Sequence, residues 1–185
     1  MLPAARPLRV LSKAAVLAAL ETALREQRGV DGAHCVHELW MREEFSAPVE
    51  HALERLWARC AATVPEWLPM RYFELLPQLY QCTAGFVAQK PGRHNVYVVL
   101  LDFRDHRTAD PYGVYVGMSH YSPAQRFDQH KAGIRSAGSV LKRGLETLTG
   151  PVLHLQRISR ADARRIERDL ALALAAAGLR TEGGH

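Results

Sequence analysis

Cysteine is scarce in this sequence, since Cys35, Cys60 and Cys82 are the only three. Their spacing fits neither a disulfide framework nor a zinc ribbon, which predicts a reducing compartment. No apolar run approaches the roughly 18 residues that a membrane helix needs. The short apolar run at 14–20 passes straight into Glu21, which is typical of a helix rather than a signal peptide. We therefore expect a cytoplasmic protein without a membrane partner.

Low-complexity tracts and internal repeats are also missing from the chain. Hydrophobic residues make up 48% and charged residues 23% of the sequence, which are ordinary values for a globular protein. These features exclude collagen-like, solenoid and long disordered chains. A length of 185 residues is enough for one good core or two small ones.

The first half of the chain lacks net charge, whereas the second half is basic. Residues 1–90 carry 10 Lys and Arg against 10 Asp and Glu, and residues 91–185 carry 14 against 9, so the second half holds the whole net charge of +5. Between Arg126 and Arg168 there are 10 basic and 4 acidic side chains. Such a surface attracts a polyanion, because each neutralised phosphate releases a counterion. A solvated basic face without a ligand is the alternative explanation.

Residues 1–90 have the periodicity of helices and are expected to form an all-helical accessory region. Ser12 can cap a first helix that ends at Gly29, and a third helix begins at Ser46. Three prolines divide the segment between Trp67 and Tyr80 into short pieces, and the segment 85–93 is the predicted junction. The predicted helices are 13–28, 33–43 and one beginning at Ser46.

Residues 91–185 combine strand and helix patterns and are expected to form one domain. β-branched and aromatic residues predict strands, and apolar residues at helical spacing predict helices. The predicted fold is α+β, with a small three-stranded mixed sheet flanked by helices in the order β-β-α-α-β-α. The predicted elements are strands 95–101, 112–117 and 152–156, and helices 123–132, 139–148 and 160–177.

Five side chains with useful chemistry can converge in this second part. Tyr97 and Tyr115 lie on two strands joined by one connection, so their rings can share a sheet face. Arg126 and His130 are four residues apart on a predicted helix and therefore share its face. Glu167 lies beside the buried stripe of the last helix, at the rim of the core.

The same residues carry a resemblance to a known family. The segment Tyr115-Val-Gly-Met-Ser119 with Arg126 and His130 resembles the second half of the GIY-YIG nuclease motif, and Asn95-Val-Tyr97 is similar to its first half. The resemblance covers about the last ninety residues. It implies a GIY-YIG-like fold and a metal-dependent endonuclease that hydrolyses phosphodiester bonds in DNA, with RNA as the alternative substrate, using Mg²⁺ or Mn²⁺.

The resemblance also implies a role for each residue. Glu167 would be the one protein ligand of the metal, and Arg126 would bind the scissile phosphate. Tyr97 would orient or deprotonate the attacking water, while Tyr115 would hold a phosphate or a metal-bound water. His130 would orient Arg126 or shuttle a proton. The residues expected to contact nucleic acid are Gly117, Ser119, Lys131, Arg135, Lys142 and Arg143.

Three departures from the family concern activity more than fold. Tyr97 and Tyr115 are further apart than in relatives, which implies an extended 102–111 loop. Asn95 replaces the first glycine of the motif. Asn95 is also the only asparagine in the chain, so the late asparagine of the family has no counterpart, and His185 is the candidate to replace it.

Two other functions remain open at this point. A degenerate copy of the module could bind nucleic acid without cutting it, and the helical N-terminal region could dock a protein partner. The cluster 34–38, with two histidines, a cysteine and a glutamate, is better explained by packing than by zinc, because His37 and Glu38 are adjacent on a helix and point apart. A stripe of aromatic residues predicts helical core, although an exposed part of it could stack bases or dock a partner. These residues are Trp40, Trp57, Trp67, Tyr72 and Phe73.

Overall fold

The fold is α+β, as predicted, with a four-stranded mixed sheet between two layers of helices. The computed structural model describes residues 7–42, 47–65, 67–68, 75–105 and 111–184. Within these residues, none of the helices has both the length and the apolar character to cross a membrane. The helices are α1 Lys13–Arg25, α2 Gly29–Met41, α3 Ala47–Cys60, α4 Leu76–Ala84, α5 Pro123–Lys131, α6 Gly138–Arg143 and α7 Arg160–Ala176, with a 3₁₀ helix at Gly150–Leu155. The strands are β1 Pro91–Asp102, β2 Tyr112–Ser119, β3 Gly144–Thr147 and β4 Thr181–Gly183.

The described residues before β1 are helical, as the sequence predicts, and they pack on the sheet. Ser12 caps α1 by accepting the amide N–H of Ala15. Helix α2 begins at Gly29, so the prediction that Gly29 ends the first helix was wrong. A Cβ at Gly29 would lie 2.4 Å from Thr63 Oγ1, so the glycine allows a close approach of two segments. Apolar side chains of α1 to α4 join one buried cluster with β1, β2 and α7.

Side chains on β1 alternate between two buried faces of the sheet. Val96, Val98 and Leu100 face the large cluster that contains α7 and the N-terminal helices. Tyr97 and Val99 face a smaller cluster that contains residues of α5 and α6. Because helices cover both faces, β1 is buried on both sides. Tyr97, a predicted site residue, therefore lies on the face of the sheet that α5 and α6 cover.

The strand order is β3-β1-β2-β4, which corrects the prediction of three strands. The segment predicted as the third strand, 152–156, lies mostly in the 3₁₀ helix Gly150–Leu155. The predicted helix 139–148 ends at Arg143, and β3 follows it antiparallel to β1. Strand β4 was missed, and it pairs with β2 in parallel.

Candidate active site

Three predicted site residues form a cluster of rings on one face of the sheet. Tyr97 pairs with Gly117 and Val99 pairs with Tyr115, so the two tyrosines are diagonal neighbours on β1 and β2. Their ring centroids are 6.1 Å apart. The His130 ring from α5 lies 6.0 Å from Tyr97 and 5.9 Å from Tyr115. The structure therefore brings these three side chains together.

Gly117 makes room for this cluster. A Cβ at this position would lie 2.5 Å from Cζ and Oη of Tyr97 and 2.9 Å from Cε1 of Tyr115. The sequence predicted Gly117 as a residue that contacts nucleic acid. The rings of Tyr97 and Tyr115 fill that space, so the physical reason for glycine is internal packing.

His130 is held in one tautomer by its neighbours. Ser122 and Gln125 form a capping box at the start of α5, and His130 lies in the last turn of this helix. Its Nδ1 accepts the N–H of Ala137 at 2.9 Å, so in the neutral ring the proton is on Nε2. The Nε2–H then donates to the Tyr97 hydroxyl oxygen, also at 2.9 Å. Both ring nitrogens are thus engaged, and neither bonds to Arg126.

Burial keeps this histidine neutral. It lowers the pKa of His130 to about 4, and the positive charge of Arg126 acts in the same direction. The sequence-based roles were to orient Arg126 or to shuttle a proton. A neutral ring bonded at both nitrogens is better suited to position Tyr97.

The two tyrosines are held in their protonated forms. Burial, and then the neighbouring Tyr115, raise the pKa of Tyr97 far above its usual value, and the opposing effect of Arg126 is smaller. The pKa of Tyr115 is also raised, chiefly by burial, and the charges of Glu167 and Glu182 add to the increase. Both phenols are therefore hydrogen-bond donors near neutral pH, which argues against Tyr97 as a base.

Arg126 lies beside the ring cluster and is fixed by the loop after α5. Its Nη1 donates to Gln129 Oε1 at 3.1 Å and to the carbonyl oxygen of Ile134 at 3.2 Å, and its Nη2 donates to that of Arg135 at 2.8 Å. The guanidinium borders an open groove with a volume of about 760 Å³. We call it the tyrosine groove, and its lining includes Tyr115, Arg126, His130, Arg135, Thr181 and Glu182.

Glu167 reaches the edge of the sheet from the other side. Helix α7 packs with the large cluster, on the face opposite Tyr97. The Glu167 side chain accepts the N–H of Met118 at 3.1 Å, where β2 extends beyond its pairing with β4. Glu167 is buried and does not line the tyrosine groove, but its charge acts on Tyr115. It is therefore at the edge of β2, next to the predicted site rather than within the groove.

Glu182 is a candidate site residue that the sequence analysis missed. Strand β4 places it opposite Tyr115 in parallel register, and it lines the tyrosine groove. Three residues ending in glycine are too short for a strand pattern, so the sequence carried no usable signal for it. The expected substitute for the late asparagine, His185, lies outside the described residues.

Among the described residues there is no cluster of three or more His, Cys, Asp or Glu side chains that could hold a metal ion. The cluster 34–38 is used for packing, as predicted. The His34 ring lies 5.0 Å from that of Trp67, His37 Nε2 is 2.7 Å from the Gly150 carbonyl oxygen, and Glu38 pairs with Arg42.

The predicted nucleic-acid contacts do not share one surface. Lys131 Nζ donates to the carbonyl oxygens of Leu141 and Gly144, and Arg143 is paired with Asp105. These two residues and Lys142 line a second groove, which also contains Asp102 and Asp105 and which we call the lysine groove. Ser119 and Arg135 lie instead beside Arg126.

Comparison of the chain with protein-family models, curated proteins and solved structures gave no match. The resemblance to the GIY-YIG family therefore rests on the sequence motif alone.

Proposed function

We propose that residues 91–185 act as a metal-dependent endonuclease of the GIY-YIG type, which hydrolyses phosphodiester bonds in DNA or RNA. The observation that carries this proposal is the clustering of Tyr97, Tyr115 and His130 beside Arg126. The tyrosines and His130 are far apart in the sequence and follow the order of the family motif; Tyr115 and His130 line one groove, and the buried Tyr97 packs against both. A packing role alone does not require Arg126 and Glu182 in the lining of the same groove.

Each residue has a task that its environment suits. Arg126 borders the groove and donates to Gln129, Ile134 and Arg135, so the remaining N–H donors of its guanidinium would bind a scissile phosphate. The hydroxyl of Tyr115 remains protonated and would donate to a phosphoryl oxygen. His130 and Tyr97 lie behind it and act as positioning residues, because their mutual hydrogen bond fixes the wall of the groove.

The carboxylates at the edge of β2 fit a hard divalent cation. Glu167 accepts the amide N–H of Met118 at the edge of β2, and Glu182 lies on β4 opposite Tyr115. Mg²⁺ commonly keeps several waters and uses only one or two carboxylates, so a cluster of three protein ligands is not required. Glu167 would hold the ion, and Glu182 would contribute from β4. The ion would supply Lewis acidity and a more acidic water.

A nucleic-acid-binding module without catalysis is the second candidate. It is favoured by the burial of Tyr97, which is 2% exposed and has a raised pKa, because such a phenol cannot readily take a proton from water. Both the nuclease and the binding module are expected to bind nucleic acid, but only the nuclease cleaves it. Docking of a protein by the N-terminal helices also remains a prediction.

The test is cleavage of single-stranded, duplex and branched DNA, and of RNA, with and without Mn²⁺. We expect cleavage that requires the metal and is absent from Glu167→Gln prepared in the same way. Equal cleavage by this variant would identify a contaminant or another active site. Metal-independent binding without turnover on every substrate would support the second candidate.

A further inference from the structure

A third groove adjoins the tyrosine groove, because Arg126 and Arg135 line both. Its volume is about 660 Å³, and among the described residues that line it there is no carboxylate. We call it the histidine groove, and the lining residues that matter here are His94, His120, Tyr121, Arg126, Arg135 and Arg160.

Positive charge is concentrated in the histidine groove. Burial lowers the pKa of His94 first, and the nearby Arg160 and His120 lower it further, so both lie close to His94. Arg160 is the first residue of α7, at the positive end of the helix dipole. A cation there does not stabilise the helix. Helix stability therefore does not explain this arginine, and the helix N-terminus and Arg160 would both attract an anion.

A rigid aromatic surface borders the same groove. Tyr121 is 40% exposed, and its ring centroid lies 4.0 Å from that of His120. The loop is held by Asn95, whose Nδ2 donates to the Tyr121 carbonyl oxygen at 2.8 Å and whose Oδ1 accepts the N–H of Arg157 at 2.9 Å. Ser119 Oγ accepts the N–H of Tyr121 at 3.1 Å. These bonds fix the backbone that carries the half-exposed Tyr121 ring, which a planar ligand could contact.

The lysine groove lacks these properties. Asp102 pairs with Arg104 at 2.5 Å, and Asp105 pairs with Arg143 at the same distance. Two of its cations are therefore neutralised within the protein. A polyanion gains more from the histidine groove, where the positive charges have no carboxylate beside them in the lining.

We propose that the histidine groove binds a single-stranded segment of nucleic acid that continues from the tyrosine groove. Arg160 and Arg135 contact its phosphates, and an unpaired base stacks on Tyr121. Unpaired bases are required because a paired base does not expose its face to a side chain. This inference rests on the proposed nucleic-acid substrate but not on cleavage.

Binding is tested by fluorescence anisotropy with a labelled oligothymidylate and a matched hairpin duplex. The full chain carries Glu167→Gln and contains no metal, so cleavage does not interfere. Arg160→Gln should weaken single-strand binding several-fold and reduce the log–log salt slope by about 0.7. Tyr121→Ala should weaken binding of the single strand but not of the duplex. Lys142→Gln, which removes the same charge in the lysine groove, should have a much smaller effect.

Unchanged affinity in Arg160→Gln, or a larger loss in Lys142→Gln, would overturn the proposal. An equal loss of duplex binding in Tyr121→Ala would overturn base stacking. A further readout needs no variant in the groove: bound phosphates should raise the pKa of His94, as seen in its imidazole NMR signals. If wild-type protein cuts DNA while Arg160→Gln binds normally, the groove assignment fails and the nuclease stands. If the groove variants lose affinity while wild-type protein never cuts, the groove assignment stands and the nuclease proposal fails.

Discussion

The neutral ring of His130 donates its Nε2–H to the hydroxyl oxygen of Tyr97 at 2.9 Å, because the N–H of Ala137 occupies the other ring nitrogen. This bond links the last turn of α5 to the middle of β1. The Tyr97 proton is then free to point toward another acceptor, and the phenol is fixed beneath Tyr115. The relationship leads directly to a prediction for each tyrosine.

Tyr97→Phe and Tyr115→Phe should have different effects although both remove one hydroxyl. Loss of the Tyr97 hydroxyl leaves the buried Nε2–H of His130 without this acceptor, which should cost about 1–3 kcal/mol of unfolding free energy. Tyr115 is only partly buried and lines the tyrosine groove, so its variant should fold normally but cleave poorly. Denaturant unfolding and cleavage rates measure the two effects. A stable Tyr97→Phe with an unstable Tyr115→Phe would contradict the assigned hydrogen bond.

The stability of the protein should depend on pH through His130. Its pKa is about 4 in the folded protein and near 6.5 in an unfolded chain, so the unfolded state binds more protons between these values. The contribution is complete above pH 6.5 and is lost as pH falls toward 4, by up to about 3 kcal/mol. His130→Gln, which cannot become charged, should show a flatter decline in melting temperature over this range. Parallel pH profiles for the two proteins would show that folding does not lower the pKa of His130.

Gly117→Ala should destabilise the protein by about 1–3 kcal/mol, because the added methyl group on β2 would overlap the Tyr97 ring on the neighbouring strand β1. Gly138→Ala is the matched control. A Cβ at Gly138 has nothing within 4 Å, and alanine favours the helix that begins there. Thermal unfolding of both variants measures the difference. Equal stability would mean that the rings move aside at little cost, and the packing explanation for Gly117 would be wrong.

Strong local patterns allowed much of this fold to be predicted. The alternating faces of β1 and β2 put Tyr97 and Tyr115 together, and the spacing on α5 put Arg126 beside His130. Weak local patterns did not suffice. The apolar segment 152–155 is compatible with a strand or a 3₁₀ helix. In the structure it belongs to the 3₁₀ helix, which contacts α2, α4 and β1. Strand β4 depends on an open edge of β2, which no local pattern reveals.

Substitution of Glu167 and substitution of Glu182 should change the metal dependence of cleavage to different extents. Glu167→Gln keeps an oxygen that can accept the N–H of Met118, so the fold should survive while the charge that holds a hard cation is lost. We expect cleavage to disappear and binding of Mn²⁺, followed by the EPR signal of the free ion, to weaken strongly. Glu182→Gln should retain cleavage but require more Mn²⁺, because it removes the second negative charge near Tyr115. Asp169→Asn removes a charge from an ion pair with Arg168 on α7 and serves as the control with no effect. If Glu182→Gln abolishes cleavage and Glu167→Gln does not, the residue missed in the sequence is the principal ligand, and α7 contributes packing alone.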